Sequence, residues 1–569
     1  MSRTADESAC MSSESEHSVD DRGPQATLGR RAVLRGGIAA GVASTALIAR
    51  PARAGSEVFR HGVASGDPLP SAVIIWTRIT PDPRATPGSG IGEPVTVDWE
   101  ISPDENFTDV HSSGTVTTTT DSDHTVKIDA DGLRPRRDYF YRFAALGRTS
   151  PVGRTRTAPA ADSETDRLRL GVVSCANWEA GFFGAYRHLA VRGDLDAVVH
   201  LGDYLYEYPR GFYGGRAGSV RGHEPAHEIV SLADYRTRHG QYKTDPDLAA
   251  LHIRYPFICI WDDHETADNS WSGGPGTRIP FLPGDWAARR AAALRAYLEW
   301  MPVRANGIGP QAKLYRRLRF GTLAELSMLD LRSYRSEQAT PVVGWRAVED
   351  PARTITGHEQ MRWLTAGIAS APTRWKLVGN PVMIAPLVLP PLSPEAAAAL
   401  HESLGMPQSG VPALVDQWDG YAADRRRLFD TIIGRSITDV LFLTGDIHSS
   451  WAAELPAELA TYPHGPRAGV EFVVPSVTAK GVGDAFPAPP RTASLPLESA
   501  MRSANPHLRY VELDSHGYGV LHLDADHAQM DWFYVTDVTD PNADAHHAAS
   551  FAVRSGEAGL EPARSRLSE

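Results

Sequence analysis

The chain has 569 residues, of which 42% are apolar, so it can bury a sizeable core and form more than one domain. Its 57 Lys and Arg residues are outnumbered by 69 Asp and Glu residues, which gives a formal net charge of -12. This balance provides no electrostatic footprint for nucleic acid, so we infer no nucleic-acid-binding surface.

The N-terminus is predicted to be an export signal. Residues 1–26 are polar and rich in Ser and acidic residues, which is typical of a disordered leader. Arg30 and Arg31 then precede a short, weakly apolar run and a small-x-small sequence at residues 52–54, in the order of a twin-arginine signal peptide. The apolar run is too short to span a membrane stably. We expect residues 1–54 to be removed, and the mature chain to be secreted, periplasmic or cell-wall associated without a transmembrane anchor after passage through the twin-arginine machinery.

The following region is predicted to be a small all-β domain over residues 55–160. Short apolar-polar alternations separated by turn residues favour strands at residues 72–76, 95–99, 115–117, 125–128 and 139–143. Strands of this length and spacing are typical of an immunoglobulin-like or fibronectin-like sandwich. A polar linker then leads into the larger second domain.

The second predicted domain, residues 165–540, repeats a different unit. Short apolar runs of the kind that form fully buried strands end in polar residues, and these runs are residues 168–173, 197–201, 257–261, 325–329, 375–378 and 440–444. Helical patterns at residues 285–300 and 357–371 lie between them, so we expect a layered α/β core. Ligand sites of open α/β sheets lie beyond the carboxyl ends of the strands. We expect residues 541–569 to be a C-terminal tail.

The strand ends carry residues that bind metal ions. Asp203 and Tyr206 follow one strand closely enough to reach a single ion, although a Gly-Asp sequence is also typical of a turn. Residues 262–265 place three carboxylates and an imidazole together, which is costly unless a cation neutralises them or the turn is exposed. Asp446 and His448 occupy alternate positions after another strand, so both side chains would lie on the same side of an extended segment. Cys175 ends a fourth strand, where it is either a metal ligand, a buried thiol or half of a disulfide with Cys259.

Taken together, these motifs resemble the alkaline phosphatase D (PhoD) family of the calcineurin-like metallophosphoesterases. The segments that carry the resemblance are residues 61–68, 173–175, 200–207, 261–265 and 444–451. The resemblance extends over nearly the whole mature chain. It implies an α-β-β-α layered catalytic core that follows the N-terminal sandwich.

The resemblance also implies a set of metal ligands. The first ion would be bound by Cys175, Asp203, Tyr206 and His448, and the second by Asp263 and Asp446 together with a bridging Asp203. Asp446 and Asp263 stand where the wider superfamily has His and Asn, and the added carboxylates favour a hard cation. The resemblance implies Fe³⁺ and Ca²⁺ as the cofactors, with another divalent transition metal as the alternative to iron. The superfamily's V-x-x-H motif has no clear counterpart, and Asn380 is the nearest substitute.

Further residues receive roles around the metals. His264 and Asp203 are the expected catalytic residues, His264 as a proton donor to the leaving alkoxide or a phosphate ligand. His200 is expected to hold a metal ligand in its orientation and not to bind a metal ion itself. Asp262 points away from Asp263 if the strand continues, which makes it either a supporting residue or an extra calcium ligand. Two arginines after Asp330, at positions 332 and 335, are candidates for binding phosphate, but the favoured interpretation is that they form surface salt bridges.

The predicted function is that of an exported, metal-dependent phosphoric ester hydrolase acting on a phosphate monoester or diester. Two ions in one site can activate water and stabilise both the attacking and the leaving oxygen. One alternative is a phosphodiesterase or a phospholipase D-like enzyme that uses the same site. Another is an exported calcium- or phosphate-binding protein without catalysis. A zinc β-lactamase-like hydrolase is excluded, because the chain has no H-x-H-x-D-H cluster.

Overall fold

Strands dominate the computed structural model, which describes residues 57–276, 285–307, 309–339, 344–388, 414–486 and 488–566. In chain order the strands are β1 Val63–Gly66, β2 Val73–Arg78, β3 Val95–Ser102, β4 Ser112–Thr118, β5 Thr125–Ala130, β6 Asp138–Ala145, β7 Arg148–Thr149, β8 Gly153–Arg156, β9 Leu168–Val173, β10 Ala197–His200, β11 Phe257–Cys259, β12 Arg316–Phe320, β13 Ala324–Met328, β14 Trp375–Asn380, β15 Val440–Thr444, β16 Ser450–Pro456, β17 Arg467–Val473, β18 Leu508–Glu512, β19 Gly517–Leu523, β20 His527–Val535, β21 Ala545–Arg554 and β22 Leu560–Pro562.

Within the described part of the chain, the α-helices all follow β9. They are α1 Gly184–Ala190, α2 Leu232–Lys243, α3 Pro246–Arg254, α4 Trp286–Trp300, α5 His358–Ser370, α6 Ala422–Gly434 and α7 Ser494–Ala504. The Asp285 side chain accepts hydrogen bonds from the first turn of α4, which explains why the helix begins there. The two predicted helices are thus confirmed as α4 and α5. Among the described residues, none of these helices is long and apolar enough to span a membrane.

The largest sheet has ten strands in the order β22-β21-β20-β19-β9-β10-β11-β1-β2-β5. Its centre, β9-β10-β11-β1, is parallel, and the flanking pairs are antiparallel. The central strands are buried at nearly every position. This burial accounts for their continuous apolar sequences, because strands covered on both faces need no polar side.

The second sheet has seven strands in the order β12-β13-β14-β15-β17-β16-β18, and β13, β14, β15 and β17 are parallel. Its side chains alternate between two hydrophobic clusters. Leu377 and Leu441 belong to the cluster shared with the ten-stranded sheet. Val378 and Phe442 belong to a cluster that also contains side chains of α5 and α6. One face of this sheet therefore contacts the other sheet, and the opposite face contacts helices, as expected for a mixed α/β protein.

The predicted N-terminal strands are all present, but three strands of this region do not form a separate domain. β3, β4, β6, β7 and β8 form a five-stranded sheet, whereas β1, β2 and β5 extend the ten-stranded sheet. Side chains from both groups share one hydrophobic cluster. Gly66 permits this continuity, because an added Cβ would lie 2.1 Å from the carbonyl oxygen of Pro302 and 2.7 Å from that of Phe257.

The C-terminal region differs from the expected tail. β21 and β22 lie within residues 541–569 and complete one edge of the ten-stranded sheet, so the fold of the second predicted domain continues past residue 540. β21 is half-exposed and rich in His, Ala and Ser, which explains why its sequence shows no apolar run. The leader and signal peptide lie outside the described residues, as does most of the Pro-rich segment 386–412.

Candidate metal centre

The predicted ligand segments come together at the carboxyl ends of strands from two different sheets. β9, β10 and β11 are adjacent in the ten-stranded sheet and lead to Cys175, Asp203 and Asp263. β15 belongs to the seven-stranded sheet and leads to Asp446 and His448. The sheets meet here, because Cys175 accepts backbone hydrogen bonds from the segment that follows β17.

The backbone turns sharply at these strand ends. Left-handed φ angles occur at several candidate ligands: Cys175 at 60°, Asp203 at 52°, Asp446 at 63° and His448 at 49°. Each such residue costs on the order of 1–2 kcal/mol, and strain of this kind is concentrated at functional sites. Gly202 is required by its φ of 107° and by Asp262, whose Cβ would lie 2.4 Å from an added Cβ.

The first group of candidate ligands has a thiol, a carboxylate, an imidazole and a phenol. Ligand atoms of Cys175, Asp203 and His448 all lie within 4.8 Å of one another. The Tyr206 hydroxyl joins them, 3.1 Å from Asp203 Oδ2 and 3.1 Å from His448 Nε2. His448 Nδ1 lies 2.7 Å from the carbonyl oxygen of Lys480, an arrangement that leaves Nε2 free to ligate. Cys175 is a free cysteine, as is Cys259, so the alternative of a disulfide is wrong.

The second group consists of carboxylates. Ligand oxygens of Asp203, Asp262, Asp263 and Asp446 lie within 4.8 Å of one another. Asp262 and Asp263 therefore do not point in opposite directions, contrary to the expectation from strand alternation. β11 ends at Cys259, and Asp262 and Asp263 lie beyond the paired strand, so the alternation of a regular strand does not apply to them.

Arg332 is a buried partner of this second group, and its interpretation as a surface salt bridge is wrong. Its side chain is 2% exposed, and its guanidinium lies 3.0 Å from Asp262 Oδ2, 3.2 Å from Asp263 Oδ1 and 2.9 Å from Asp446 Oδ1. It also pairs with Asp416 at 2.9 Å. Arg335, which is also buried, binds Asp416 at 2.8 Å. Sequence reasoning missed Asp416, because it lies far along the chain and follows no apolar strand.

Glu265 ties two strand ends together. Its carboxylate accepts hydrogen bonds from the backbone N–H groups of Asp203 at 3.1 Å, Tyr204 at 2.6 Å and Asp262 at 2.7 Å. A carboxylate that receives three backbone donors is used for structure, and Glu265 belongs to none of the candidate ligand groups among the described residues.

His264 lies beside the carboxylates. Its Nδ1 is 2.7 Å from Glu207 Oε2, and its Nε2 is 3.9 Å from Asp263 Oδ2. Burial lowers the pKa of His264, but Asp263, Glu207 and Asp203 raise it well above its usual range. Glu207 stands one residue after Tyr206, and this position was the only sequence signal for its role.

The electrostatics favour a bound cation. Burial, opposed by Arg332 and reinforced by neighbouring carboxylates such as Asp416, raises the pKa of Asp446 to about 7. Burial likewise raises the pKa of Asp203 and, with the Asp203 charge, the pKa of the Cys175 thiol. Asp263 Oδ1 is buried and has the Arg332 guanidinium 3.2 Å away as an ion-pair partner, but among the described residues no donor is aligned to give it a hydrogen bond. Anionic groups that are this crowded require positive charge, and the donor set suits metal ions.

Two predicted supporting residues contact other groups. His200 Nε2 lies 2.9 Å from the Tyr186 hydroxyl, and burial lowers its pKa to about 3. Its ring also lies 5.2 Å from that of Tyr204, the residue that follows Asp203. Asn380 accepts from Trp418 Nε1 at 2.9 Å and contacts Thr444 Oγ1 at 3.1 Å, so its amide joins segments beneath the Asp446 turn.

Comparison with known proteins supports the resemblance. Residues 170–532 match the PhoD-like phosphatase family, and residues 42–159 match the N-terminal domain of PhoD-like phosphatases. The chain is 35% identical over 517 residues to alkaline phosphatase D of Bacillus subtilis (strain 168), which covers 89% of this chain and 82% of that protein. A solved structure of PhoD superposes with a TM-score of 0.79 at 34% identity, covering 90% of this chain and 93% of the other. The chain therefore belongs to the PhoD-like phosphatase family and is a phosphoric ester hydrolase.

Proposed function

We propose that this enzyme hydrolyses phosphoric esters at a centre of at least two metal ions. The observation that carries the proposal is the convergence of two ligand groups that share Asp203. The sulfur, phenol and imidazole donors of the first group suit Fe³⁺ or another transition metal. The carboxylates of the second group, Asp262 included, suit Ca²⁺.

Metal ions held by these groups would supply Lewis-acid chemistry and lower the pKa of a water molecule. The chain's own residues would orient the ester and move protons. Glu207 holds the His264 ring through Nδ1, which leaves Nε2 to give a proton to the departing alkoxide. Burial opposes the charged imidazolium, but Asp263, Glu207 and Asp203 raise the pKa of His264 and so favour the protonated form that this role needs. Arg332 can balance phosphate charge, since its guanidinium already lies among the carboxylates.

The substrate is a phosphate monoester or diester, with the phosphodiesterase or phospholipase D-like enzyme as the alternative on the same centre. Membership in a phosphatase family leaves no support for a non-catalytic binding protein. Matched mono- and diesters of one alcohol separate the two enzyme classes by their ratio of kcat/KM.

Metal removal tests the proposal directly. A calcium-selective chelator should abolish most activity, and added Ca²⁺ should restore it, because carboxylate oxygens bind a hard cation reversibly. Elemental analysis of the purified enzyme should find iron that mild chelation does not remove. If Zn²⁺ but not Ca²⁺ restored activity, the assignment of Ca²⁺ to the carboxylate group would be wrong. Full activity without any metal would defeat the whole proposal.

We also propose an N-terminal region followed by a catalytic region, and an exported location. The family matches over residues 42–159 and 170–532 support the two regions, which are joined where β1, β2 and β5 extend the ten-stranded sheet. The seven-stranded sheet contacts the other sheet on one face and helices on the opposite face, which supports the α-β-β-α layering. Arg30 and Arg31 support twin-arginine export of the folded enzyme. Replacing both arginines with Lys should retain the precursor in the cytoplasm, as measured by fractionation. Unchanged secretion would refute this export route.

A further inference from the structure

Three aromatic side chains, Tyr208, Phe212 and Tyr213, form what we call the aromatic shelf beside the candidate metal centre. The Tyr213 ring stacks on Tyr206 at 5.8 Å between ring centroids and on His264 at 6.4 Å. The Tyr208 ring lies 5.2 Å from His264 and 5.2 Å from Phe212. The shelf is therefore continuous with side chains assigned to the centre.

Phe212 is the outer member of the shelf, and its ring is 58% exposed. Tyr208 is only 7% exposed, so the shelf leads from the buried centre to the surface. A single exposed apolar side chain is common on proteins and by itself indicates nothing. The position of Phe212 becomes informative because the backbone around it is held in place.

The loop is fixed on both sides of Phe212. The backbone N–H of Gly211 donates to both carboxylate oxygens of Glu179, at 2.9 Å each. On the other side, Asn177 Nδ2 donates to the carbonyl oxygen of Tyr213 at 2.6 Å. Glu179 and Asn177 are fully buried, so the anchors belong to the core and not to the loop. An exposed ring on a fixed backbone is preorganised to receive a ligand, because little conformational entropy is lost on binding.

We propose that the aromatic shelf is a subsite for a planar aromatic group, an aryl ring or a nucleobase, carried by the phosphoric ester. The proposal rests on the proposed function, since the metal centre must hold the phosphate next to the shelf. Phe212 offers a ring face for stacking, which is tolerant of the identity of the planar group. No charged side chain belongs to the shelf, so its contribution is apolar and stacking in character.

The test compares two esters whose leaving groups are both primary 5-alkoxides of a ribose. Uridine 5′-phosphate carries a planar base, and methyl riboside 5-phosphate does not; each is also assayed as its methyl diester. In the metal-loaded enzyme, kcat/KM should be higher for the uridine ester. Phe212→Ala should lower the uridine-to-riboside ratio by on the order of tenfold, mainly through KM, and Phe212→Trp should keep it.

Two further variants separate the possible outcomes. Phe212→Leu keeps apolar volume without a ring face, so it should lose the preference as Phe212→Ala does. Val191→Ala, at a residue that is 60% exposed and directly follows α1, is the matched control and should keep the wild-type ratio. If Phe212→Ala or Phe212→Leu keeps the wild-type uridine-to-riboside ratio of kcat/KM, the aromatic subsite is overturned, while the proposed hydrolase function is unaffected. Failure of the wild-type enzyme on all four esters instead defeats the proposed function, and the subsite with it.

Discussion

At the scale of single residues, the centre is defined by a few polar atoms that have little freedom to move. The Tyr206 hydroxyl lies 3.1 Å from both a carboxylate and an imidazole, and its ring is fully buried. Burial, together with the charge of Asp203, raises the pKa of this phenol. A neighbouring metal ion would reverse that shift, since a coordinated phenol loses its proton more easily.

Replacing Tyr206 or Cys175 should change the colour of the enzyme. If both ligate a ferric ion, charge transfer from phenolate and thiolate colours the protein, and Tyr206→Phe should bleach or shift the visible band. Activity should fall by at least about tenfold, and Cys175→Ser should weaken iron retention. Absorption spectra and elemental analysis measure both effects. Tyr213→Phe, which alters a neighbouring ring, is the control that keeps the band. A colourless, iron-free and fully active wild type would remove the ferric assignment.

Replacing His264 should reveal whether it protonates the leaving group. His264→Gln should lower kcat by about 10²–10³ for esters of alkyl alcohols and far less for 4-nitrophenyl esters, whose leaving group needs no proton. The exposed His227, which pairs with Asp234 at 3.0 Å, provides the control His227→Gln. Equal losses on both kinds of ester would show that His264 only binds phosphate.

At the scale of elements, the centre depends on how strand ends are joined. β10 and β11 are parallel neighbours, and the turns that follow them are connected by the Glu265 carboxylate. A similar connection is made in the other sheet by Asn380, which contacts the end of β15 through Thr444. Each connection fixes a turn whose backbone contains a strained residue.

Glu265→Gln should loosen the centre without removing a ligand. The amide can accept hydrogen bonds only at its oxygen, so at least one backbone donor is left unpaired, at a cost of about 3 kcal/mol. We expect a lower melting temperature and weaker metal retention, measured by thermal unfolding and elemental analysis. Glu325→Gln is the control, since that glutamate of β13 lies outside the candidate ligand groups and pairs with Arg317 of β12 at 3.1 Å. Wild-type melting and metal content in Glu265→Gln would contradict this role.

At the scale of the whole molecule, the N-terminal strands and the catalytic core share buried groups. Lys243 of α2 is 2% exposed and lies 3.0 Å from His252 Nε2 of α3. Its ammonium also lies 4.9 Å from the ring of Trp76 on β2 and 5.1 Å from that of Tyr204. Burial lowers the pKa of Lys243 to about 7, although the Cys259 thiol opposes the shift.

This buried lysine should make stability rise with pH. Because its folded pKa of about 7 lies below its unfolded value of 10.5, the unfolded chain binds more protons between these limits. The free energy of unfolding is therefore lowered by the full cost of burying this lysine below pH 7, and this destabilisation disappears above about pH 10.5. Lys243→Met should melt higher than wild type at pH 7, with a difference that narrows towards pH 10. Lys313→Met, at an exposed lysine, is the control, and its melting temperature should depend on pH as that of the wild type does. If the melting temperature of Lys243→Met also ran parallel to the wild-type value across this pH range, the prediction would be contradicted.

Local patterns in the sequence were sufficient to predict the strands that carry the centre and the residue types at their ends. Apolar runs such as residues 168–173 and 440–444 became β9 and β15, because a strand buried on both faces must be apolar throughout. The motif residues Cys175, Asp203 and His448 are next to those runs, so no knowledge of tertiary packing was needed to find them. The resemblance to a known family then assigned their roles.

Only the tertiary structure decided how these residues meet and what neutralises them. Glu265 binds Asp203 across 62 positions, and Arg332 binds Asp446 across 114. The tertiary structure also showed that β1, β2 and β5 extend the ten-stranded sheet and that β21 belongs to this sheet. The physical reason is that hydrogen bonds and ion pairs depend on distance in space, and a sequence pattern reports only the neighbours within one strand or helical turn.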